Sequence, residues 1–204
     1  VVRWVTMPLN ARNVRNGVII NPLSWGEQLQ TLLEKEHIEV GKLYCALSAV
    51  SVIREFKFPR LGGAKLVDLV DREARRMLSY SSETSMLRWK KLDSKGHSVR
   101  VLVMLAPRDP VMKLVEALGF AGLKPNYIEL KPMAIIRAIN ADNAIVAHGE
   151  LNSLELSIVI SGEPKILRSL YLGDVLLSKE GATARLIDEL ARTLSFYNET
   201  YREE

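Results

Sequence analysis

The chain has 204 residues, of which 48% are hydrophobic and 25% charged, with 28 basic and 24 acidic side chains. This composition is typical of a soluble protein with a packed core, and the sequence contains no apolar run of about 18 residues that would predict a membrane-spanning helix. The N-terminal residues lack the basic-then-apolar order of a signal peptide, and a single cysteine excludes an internal disulfide and a cysteine-based zinc site.

The first third of the chain predicts strands around a helix. Val1, Val2, Trp4 and Val5 predict an opening strand, and Asn21 followed by Pro22 is typical of a helix start. Residues 42–58 predict one or two strands with a joint at Ser48–Ser51. Cys45 lies in this apolar pattern and is predicted to be a buried, unreactive thiol.

The middle of the chain predicts a helix, a hairpin and a second helix. Apolar residues recur at helical spacing from Ala64 onward, and "DSKGH" predicts a polar turn between two strands. Asp109 is a candidate N-cap for the next helix, with Pro110 in its first turn. A short strand, "NYIEL", and a short helix, "KPMAIIRAIN", follow.

The last third predicts a hairpin and a long helix. Ala144–Asp174 predicts two strands joined by a tight turn at Ser161–Gly162, and Lys179–Tyr201 predicts an amphipathic helix. The fold class is therefore mixed α/β (α+β), with a boundary near Ala141. A start without methionine inside a predicted strand, together with a polar helical end, predicts a fragment of a longer protein.

The basic residues form no block. "VRNG", "DREARR" and "RWKK" are short and lie within predicted elements, which favours solvated faces over a nucleic-acid surface. His37, His97 and His148 are scattered without a metal-binding pattern, and His148 has no Ser or Cys partner at a catalytic spacing. We expect no nucleic acid, no metal and no catalytic residues.

A series of short motifs carries a resemblance to a known family. Gly17, Ile19 and Asn21 precede the first helix, the Phe58–Pro59 step ends the second strand region, and "AGLKPNYIE" follows the third helix. In order and spacing, over essentially the whole chain, they resemble the PilM proteins of type IV pilus assembly, which are related to FtsA in the actin-like ATPase superfamily.

This resemblance implies an actin-like ATPase fold fragment in three parts. Residues 1–39 would belong to the first core subdomain, 40–131 would form an inserted strand-helix-strand-strand subdomain, and 132–204 would begin the second half with its phosphate hairpin and following helix.

The family pattern also implies a nucleotide site, of which this chain holds one altered part. Gly149 and Gly173 are candidate cofactor-binding residues of the second phosphate hairpin, but Ala147 replaces the family's Asp and Asp174 replaces a glycine. Acidic residues at such hairpins hold Mg²⁺ or orient water. We expect no cofactor in this fragment and weak or absent hydrolysis, whereas binding of ATP with Mg²⁺ by the full-length protein stays open.

The resemblance further implies a cytoplasmic scaffold, peripheral to the inner membrane, that binds the cytoplasmic tail of a PilN-like membrane protein. In the family this tail lies between the first core subdomain and the inserted one. Candidate partner-binding residues are Trp25, Leu29, Tyr44 and Val52. The alternative is an ATP-binding actin-like protein that switches or polymerises in pilus assembly or cell division, and self-association stays open.

Overall fold

The computed structural model describes residues 3–9, 11–48, 51–78, 81–150, 153–171 and 179–201. These residues form two compact units, one from Val1–Ala49 with Arg108–Lys131 and one from Val50–Pro107 with Pro132–Glu204. In chain order the elements are β1 (Val14–Arg15), β2 (Val18–Ile19), α1 (Pro22–Lys35), β3 (Tyr44–Leu47), β4 (Val52–Pro59), α2 (Gly63–Leu78), β5 (Ser85–Lys95), β6 (Ser98–Pro107), α3 (Arg108–Phe120), β7 (Tyr127–Leu130), α4 (Lys131–Ile139), β8 (Ala144–Gly149), β9 (Ser153–Ile160), β10 (Glu163–Tyr171) and α5 (Lys179–Tyr201). None of the described helices has the length and hydropathy needed to cross a membrane.

Helix α1 begins where its capping residues predict. The side chain of Asn21 accepts a hydrogen bond from the backbone N–H of Ser24 at 3.1 Å, and Pro22 occupies the first turn, where no N–H is needed. Gly26 is buried against α3, because a Cβ at this position would lie 2.6 Å from Cβ of Phe120. The two helices therefore pack closely at a residue without a side chain.

A parallel pair of short strands completes the first unit. β3 and β7 pair in parallel, and the N–H of Leu43 donates to Oδ1 of Asn126 at 2.8 Å just before the pair. One face of the pair packs with α1 and α3 around a core of Ile19, Leu47, Leu114, Ala117 and Leu118. On the other face Tyr44 and Tyr127 are exposed, with ring centroids 6.5 Å apart.

The second unit contains a strand-helix-strand-strand segment at Val52–Pro107. Its strands form an antiparallel sheet in the order β4-β6-β5, and α2 packs across one face. The shared core consists of Phe58, Leu66, Val70, Ala74, Val99, Val101 and Val103. The turn between β5 and β6 contains Gly96 at φ +55°, a left-handed conformation that suits glycine. The hairpin predicted around "DSKGH" is confirmed.

A second antiparallel sheet, β8-β9-β10, follows in the same unit. Its central strand β9 is buried on both faces. Leu186 of α5 packs against Leu154 and Leu156 on one face, while Met133 and Ile136 of α4 lie in the core on the other. The 23-residue helix predicted at the end of the chain is confirmed with its predicted bounds.

The turn between β9 and β10 has the two-residue form predicted from its sequence. Ser161 and Gly162 both have positive φ, +54° and +73°, which matches the right-handed twist of the flanking strands. The N–H of Ser161 donates to Oδ1 of Asn143 at 3.1 Å, and the N–H of Gly162 donates to the carbonyl of Asp142 at 2.8 Å. The segment before β8 therefore fixes this turn.

An ion network joins the two sheets of the second unit. Glu55 of β4 binds Lys165 of β10 at 2.7 Å, and both side chains are only 10% exposed. Glu55 also binds Arg100 of β6 at 2.7 Å. The hydrogen bond with Asp93 raises the pKa of Arg100 further above its ordinary value, with a further contribution from the attraction of Glu55. Because poorly hydrated charges need close partners, this network fixes β4 beside β10.

Three predictions of local structure are wrong. Residues 3–9 have no regular secondary structure, so Trp4 and Val5 form no strand, while Val1 and Val2 lie outside the described residues. The two strands predicted over Ala144–Asp174 are three, because β8 ends at Gly149 and β9 begins at Ser153. Asp109 is not the N-cap of α3 but lies inside its first turn, because the helix begins at Arg108, and its carboxylate binds Lys113 at 2.8 Å. The predicted domain boundaries after residues 39 and 131 stay predictions.

Candidate functional site

The candidate phosphate hairpin is the connection from β8 to β9. Gly149 ends β8 with open space where a Cβ would lie. The next backbone N–H, that of Glu150, donates to the carbonyl of Ser153 at 2.9 Å, and Oγ of Ser153 donates to the Glu150 carboxylate at 3.3 Å. A phosphate-binding hairpin presents its backbone N–H groups to the ligand. Here the N–H after Gly149 is used within the loop, and a carboxylate lies beside it.

The nearest buried carboxylate on the sheet is on the wrong face to replace the missing Asp. Ala147 is paired with Leu156, whereas Glu155 is paired with His148 on the neighbouring strand. Because successive strand residues point to opposite faces, the Glu155 carboxylate and the Ala147 methyl group lie on opposite sides of the sheet. Glu155 therefore cannot take the position that an Asp at residue 147 would occupy.

A polar row crosses the three strands on the Glu155 face. Glu155 is 1% exposed, lies opposite both His148 and Ser169, and accepts a hydrogen bond from Oγ of Ser169. Nδ1 of His148 is buried and has no hydrogen-bond partner among the described residues. In this row the carboxylate separates the histidine from the hydroxyl. His148 therefore does not activate Ser169 in the order that a nucleophilic triad requires.

The other residues considered for chemistry contribute no further site. Gly173 and Asp174 lie outside the described residues, so the structure places neither. Burial raises the pKa of the Cys45 thiol, which lowers its reactivity. Within the described ranges no group of three or more His, Cys, Asp and Glu side chains could hold a metal ion.

The four candidate partner-binding residues fall into two classes. Trp25 and Leu29 of α1 are half-buried and pack on the core of the first unit. Tyr44 is 65% exposed on β3, and Val52 is 45% exposed at the start of β4 in the other unit. Of the four, Tyr44 and Val52 are therefore the exposed residues that a partner can reach.

A charge cluster on α5 was missed by sequence reasoning. The carboxylate of Glu189 is 3% exposed and binds Arg168 at 3.1 Å, Arg185 at 3.2 Å and Arg192 at 3.5 Å. Arg168 also donates to Oγ1 of Thr193 at 3.0 Å. The spacings of four and three residues on the helix were a readable signal, but the contribution of Arg168 from β10 required the tertiary fold.

The chain matches known proteins in structure but not in sequence. No protein-family model matches the chain, and no curated protein matches its sequence. A chain of the solved PilM-PilN type IV pilus biogenesis complex matches it with a TM-score of 0.77 at 21% identity, over 96% of this chain and 70% of that one. This chain has the PilM-type fold.

Two further solved structures match the chain less well. One is the cytoplasmic domain of EpsL, an inner-membrane component of the type II secretion system of Vibrio cholerae, with a TM-score of 0.49, 9% identity and coverage of 72% of this chain and 56% of that one. The other is a Bacteroides thetaiotaomicron protein with an actin-like ATPase fold and unknown function, with a TM-score of 0.39, 10% identity and coverage of 85% and 62%.

The structural match confirms the PilM-type fold expected from the short motifs, and the helices and strands confirm the mixed α/β class predicted with it. Those motifs correspond to structural features. Gly17 forms the left-handed turn before α1, at φ +76°, and Asn21 is its N-cap. Pro59 ends β4, and Gly122 has a left-handed φ of +71° after α3. The motifs therefore identify turns and helix ends of the PilM-type fold.

Proposed function

We propose that the chain is part of a type IV pilus assembly protein that binds the cytoplasmic tail of a PilN-like membrane protein. The observation that carries this proposal is the match to the PilM-PilN complex over 96% of the chain. In such an assembly the protein works as a scaffold at the cytoplasmic face of the inner membrane and is held there by its partner.

In this function ATP hydrolysis is not the main activity of the protein. Ala147 has no carboxylate to hold Mg²⁺ or orient water, and Glu155 lies on the opposite face of the sheet. The N–H of Glu150 is bonded within its own loop, and the Glu150 carboxylate would repel a phosphate. We therefore propose a degenerate nucleotide site, with Gly149 and Gly173 as remnants of a phosphate hairpin.

Partner binding is tested with a labelled peptide of the PilN-like tail from the same organism. Fluorescence anisotropy should show saturable binding. Tyr44→Ala and Val52→Ala should weaken it without lowering the melting temperature, since both side chains are exposed and neither belongs to the buried core. Trp25 and Leu29 are poor test positions because they support the core. Ile187→Ala, at a residue 60% exposed on α5, is the matched control. Absence of saturable binding by the full-length protein would contradict the scaffold.

The degenerate site is tested separately in the full-length protein. A fluorescent ATP analogue titrated in the presence of Mg²⁺ should show little binding, with no change on Gly149→Ala. Low-micromolar binding that Gly149→Ala abolishes would support the alternative, an ATP-binding actin-like switch. The two experiments give independent answers because the peptide titration contains no nucleotide.

A further inference from the structure

A groove runs along the second unit between the outer edge of β4 and helix α2. Its volume is about 820 Å³, and it lies on one side of the strand-helix-strand-strand segment. Phe56 and Phe58 form its floor on the strand side, with ring centroids 5.7 Å apart, and Leu69 faces them from the helix. Leu61 and Met77, 38% and 58% exposed, belong to the same lining. The groove therefore has an apolar floor and is open to solvent.

The strand that borders the groove has an unused edge. β4 is the terminal strand of its sheet, and among the described residues no strand pairs with its outer side. Such an edge presents backbone N–H and C=O groups that can pair with another chain. Near Val52–Arg54 this side faces β10 and α5 across a second pocket, so the part beside α2 is Phe56–Pro59. The N–H of Arg60 donates to the carbonyl of His97, and in this register the backbone groups of Phe56 and Phe58 face β6. Lys57 and Pro59 therefore face outward, and because proline has no N–H, Lys57 supplies the outward donor while both residues supply a carbonyl group. The proteins that bind extended peptides by adding a strand use the same pairing of a free sheet edge with side-chain pockets.

The charged side chains around the groove favour an acidic ligand. Four basic residues and two acidic ones line it, and one of these acids, Glu73, is already bound to Arg76 at 2.7 Å. The side chains of Lys57, Lys65 and Arg72 make no ion pair or hydrogen bond with any described residue. Lys65 and Arg72 are two turns apart on α2, about 10 Å along its axis, a distance that an extended peptide covers in about three residues.

From these features we infer that the groove binds an acidic, extended segment of a partner protein, which pairs with β4 as a fourth strand. The apolar side chains of the segment pack on Phe56 and Leu69, and its carboxylates meet Lys65 and Arg72. This site lies wholly inside the second unit. The inference does not rest on the proposed binding of a PilN-like tail, and the two are tested with different peptides.

The probe is a dye-labelled octapeptide in which glutamate and valine alternate, titrated against the full chain by fluorescence anisotropy. Saturable binding is expected, and the matched lysine–valine octapeptide should not bind. Lys65→Glu with Arg72→Glu should weaken binding at least on the order of tenfold. The control carries the same change of charge outside the groove, as Arg75→Glu with Lys91→Glu, and should bind as the unmodified chain does. Equal binding by the two charge-reversed proteins, or by the two peptides, would overturn the inference.

Strand addition has its own test in two backbone-methylated probes. One is N-methylated at every valine and the other at every glutamate. Alternate residues of a strand direct their N–H groups to opposite edges, so only one of the two should lose binding. Equal affinity of both would show that β4 does not extend its sheet.

Two competing ligands test the nature of the occupant. Tighter binding of a single-stranded oligonucleotide would assign the cations to phosphate instead, and displacement of the probe by the PilN-like tail would show that the two sites are one. Either result overturns the inference.

Discussion

Helices α5 and α2, which pack on the two three-stranded sheets of the second unit, differ at particular charged side chains. On α5 the buried carboxylate of Glu189 binds three arginines. On α2 Lys65 and Arg72 bind no described carboxylate, although Asp68 lies between them on the helix. Charge satisfied within the fold stabilises it, whereas charge left beside an open strand edge is available for recognition. The ion-paired face of α5 is therefore structural, whereas the face of α2 beside the groove is proposed for binding.

The largest effect is expected where a charge joins the two sheets. Glu55→Gln removes the carboxylate that binds Lys165 and Arg100, and both Glu55 and Lys165 are poorly hydrated. Loss of one partner of such a pair costs about 3 kcal/mol, which urea unfolding should record as a lower free energy of unfolding. Glu73→Gln is the control, since its ion pair with Arg76 is exposed and contributes little. Equal losses in both variants would show that the network is not structural.

A smaller loss is expected at the α5 cluster. Glu189→Gln leaves Arg168, Arg185 and Arg192 close together without their carboxylate. The arginines are partly exposed and regain water, so we expect about 2 kcal/mol rather than the full penalty of a buried pair. Thermal and urea unfolding measure it. A stability unchanged within about 0.5 kcal/mol would place this cluster with the exposed charges of α2.

The first turn residue of the two sheets is a serine in one and a glycine in the other, and this predicts a gain in stability from one substitution. Ser161 has φ +54° in the β9–β10 turn, whereas Gly96 has φ +55° in the β5–β6 turn. A left-handed non-glycine residue is strained by about 1 kcal/mol, and Ser161→Gly removes this strain. Glycine loses more conformational entropy on folding than serine does, which offsets part of the gain. The free energy of unfolding should therefore rise by about 0.5 kcal/mol. Gly96→Ala should lower it by about 1 kcal/mol. Destabilisation by Ser161→Gly would mean that the hydroxyl makes a contact that outweighs the strain.

The smallest effect on stability is expected in the groove. Lys65→Ala with Arg72→Ala removes two exposed cations without ion pairs among the described residues, so unfolding should change by less than about 0.5 kcal/mol. The same variant should lose affinity for the acidic probe. Unchanged stability together with weaker probe binding is expected of a binding surface. Removing charges from a structural cluster such as that of Glu189 would instead lower the stability of the protein. A loss of stability above about 1 kcal/mol would show that Lys65 and Arg72 stabilise the fold, so that α2 would not differ from α5.

Local signals were sufficient for much of this fold. The N-cap at Asn21, the turn at Ser161–Gly162 and the apolar periodicity of Lys179–Tyr201 each act over a few residues, and all three were predicted correctly. The small hairpin of β1 and β2 was missed, although Asn16 and Gly17 have the positive φ angles of a two-residue turn. Strands of two residues carry too little alternation to be recognised.

Features that depend on distant residues could not be predicted. Glu55 and Lys165 are 110 positions apart, and Arg168 reaches Glu189 from another element. At the candidate nucleotide site the sequence identified Ala147 in place of Asp. It did not reveal that Glu155 lies on the opposite face, because this follows from the pairing register of β8 and β9. The groove was missed because the cations of α2 predicted a solvated face and the edge position of β4 depends on the order of the sheet.

The parallel pairing of β3 with β7 has a consequence for the order of folding. Leu43 and Asn126, which bond just before this pair, are 83 positions apart, and closing a flexible loop of that length costs about 4 kcal/mol in chain entropy. Most of the intervening residues form β4, α2, β5 and β6, which have their own core and hairpin contacts. Their prior folding shortens the loop. Pulse-labelling hydrogen exchange should therefore show amides of β5 and β6 protected before those of β3 and β7.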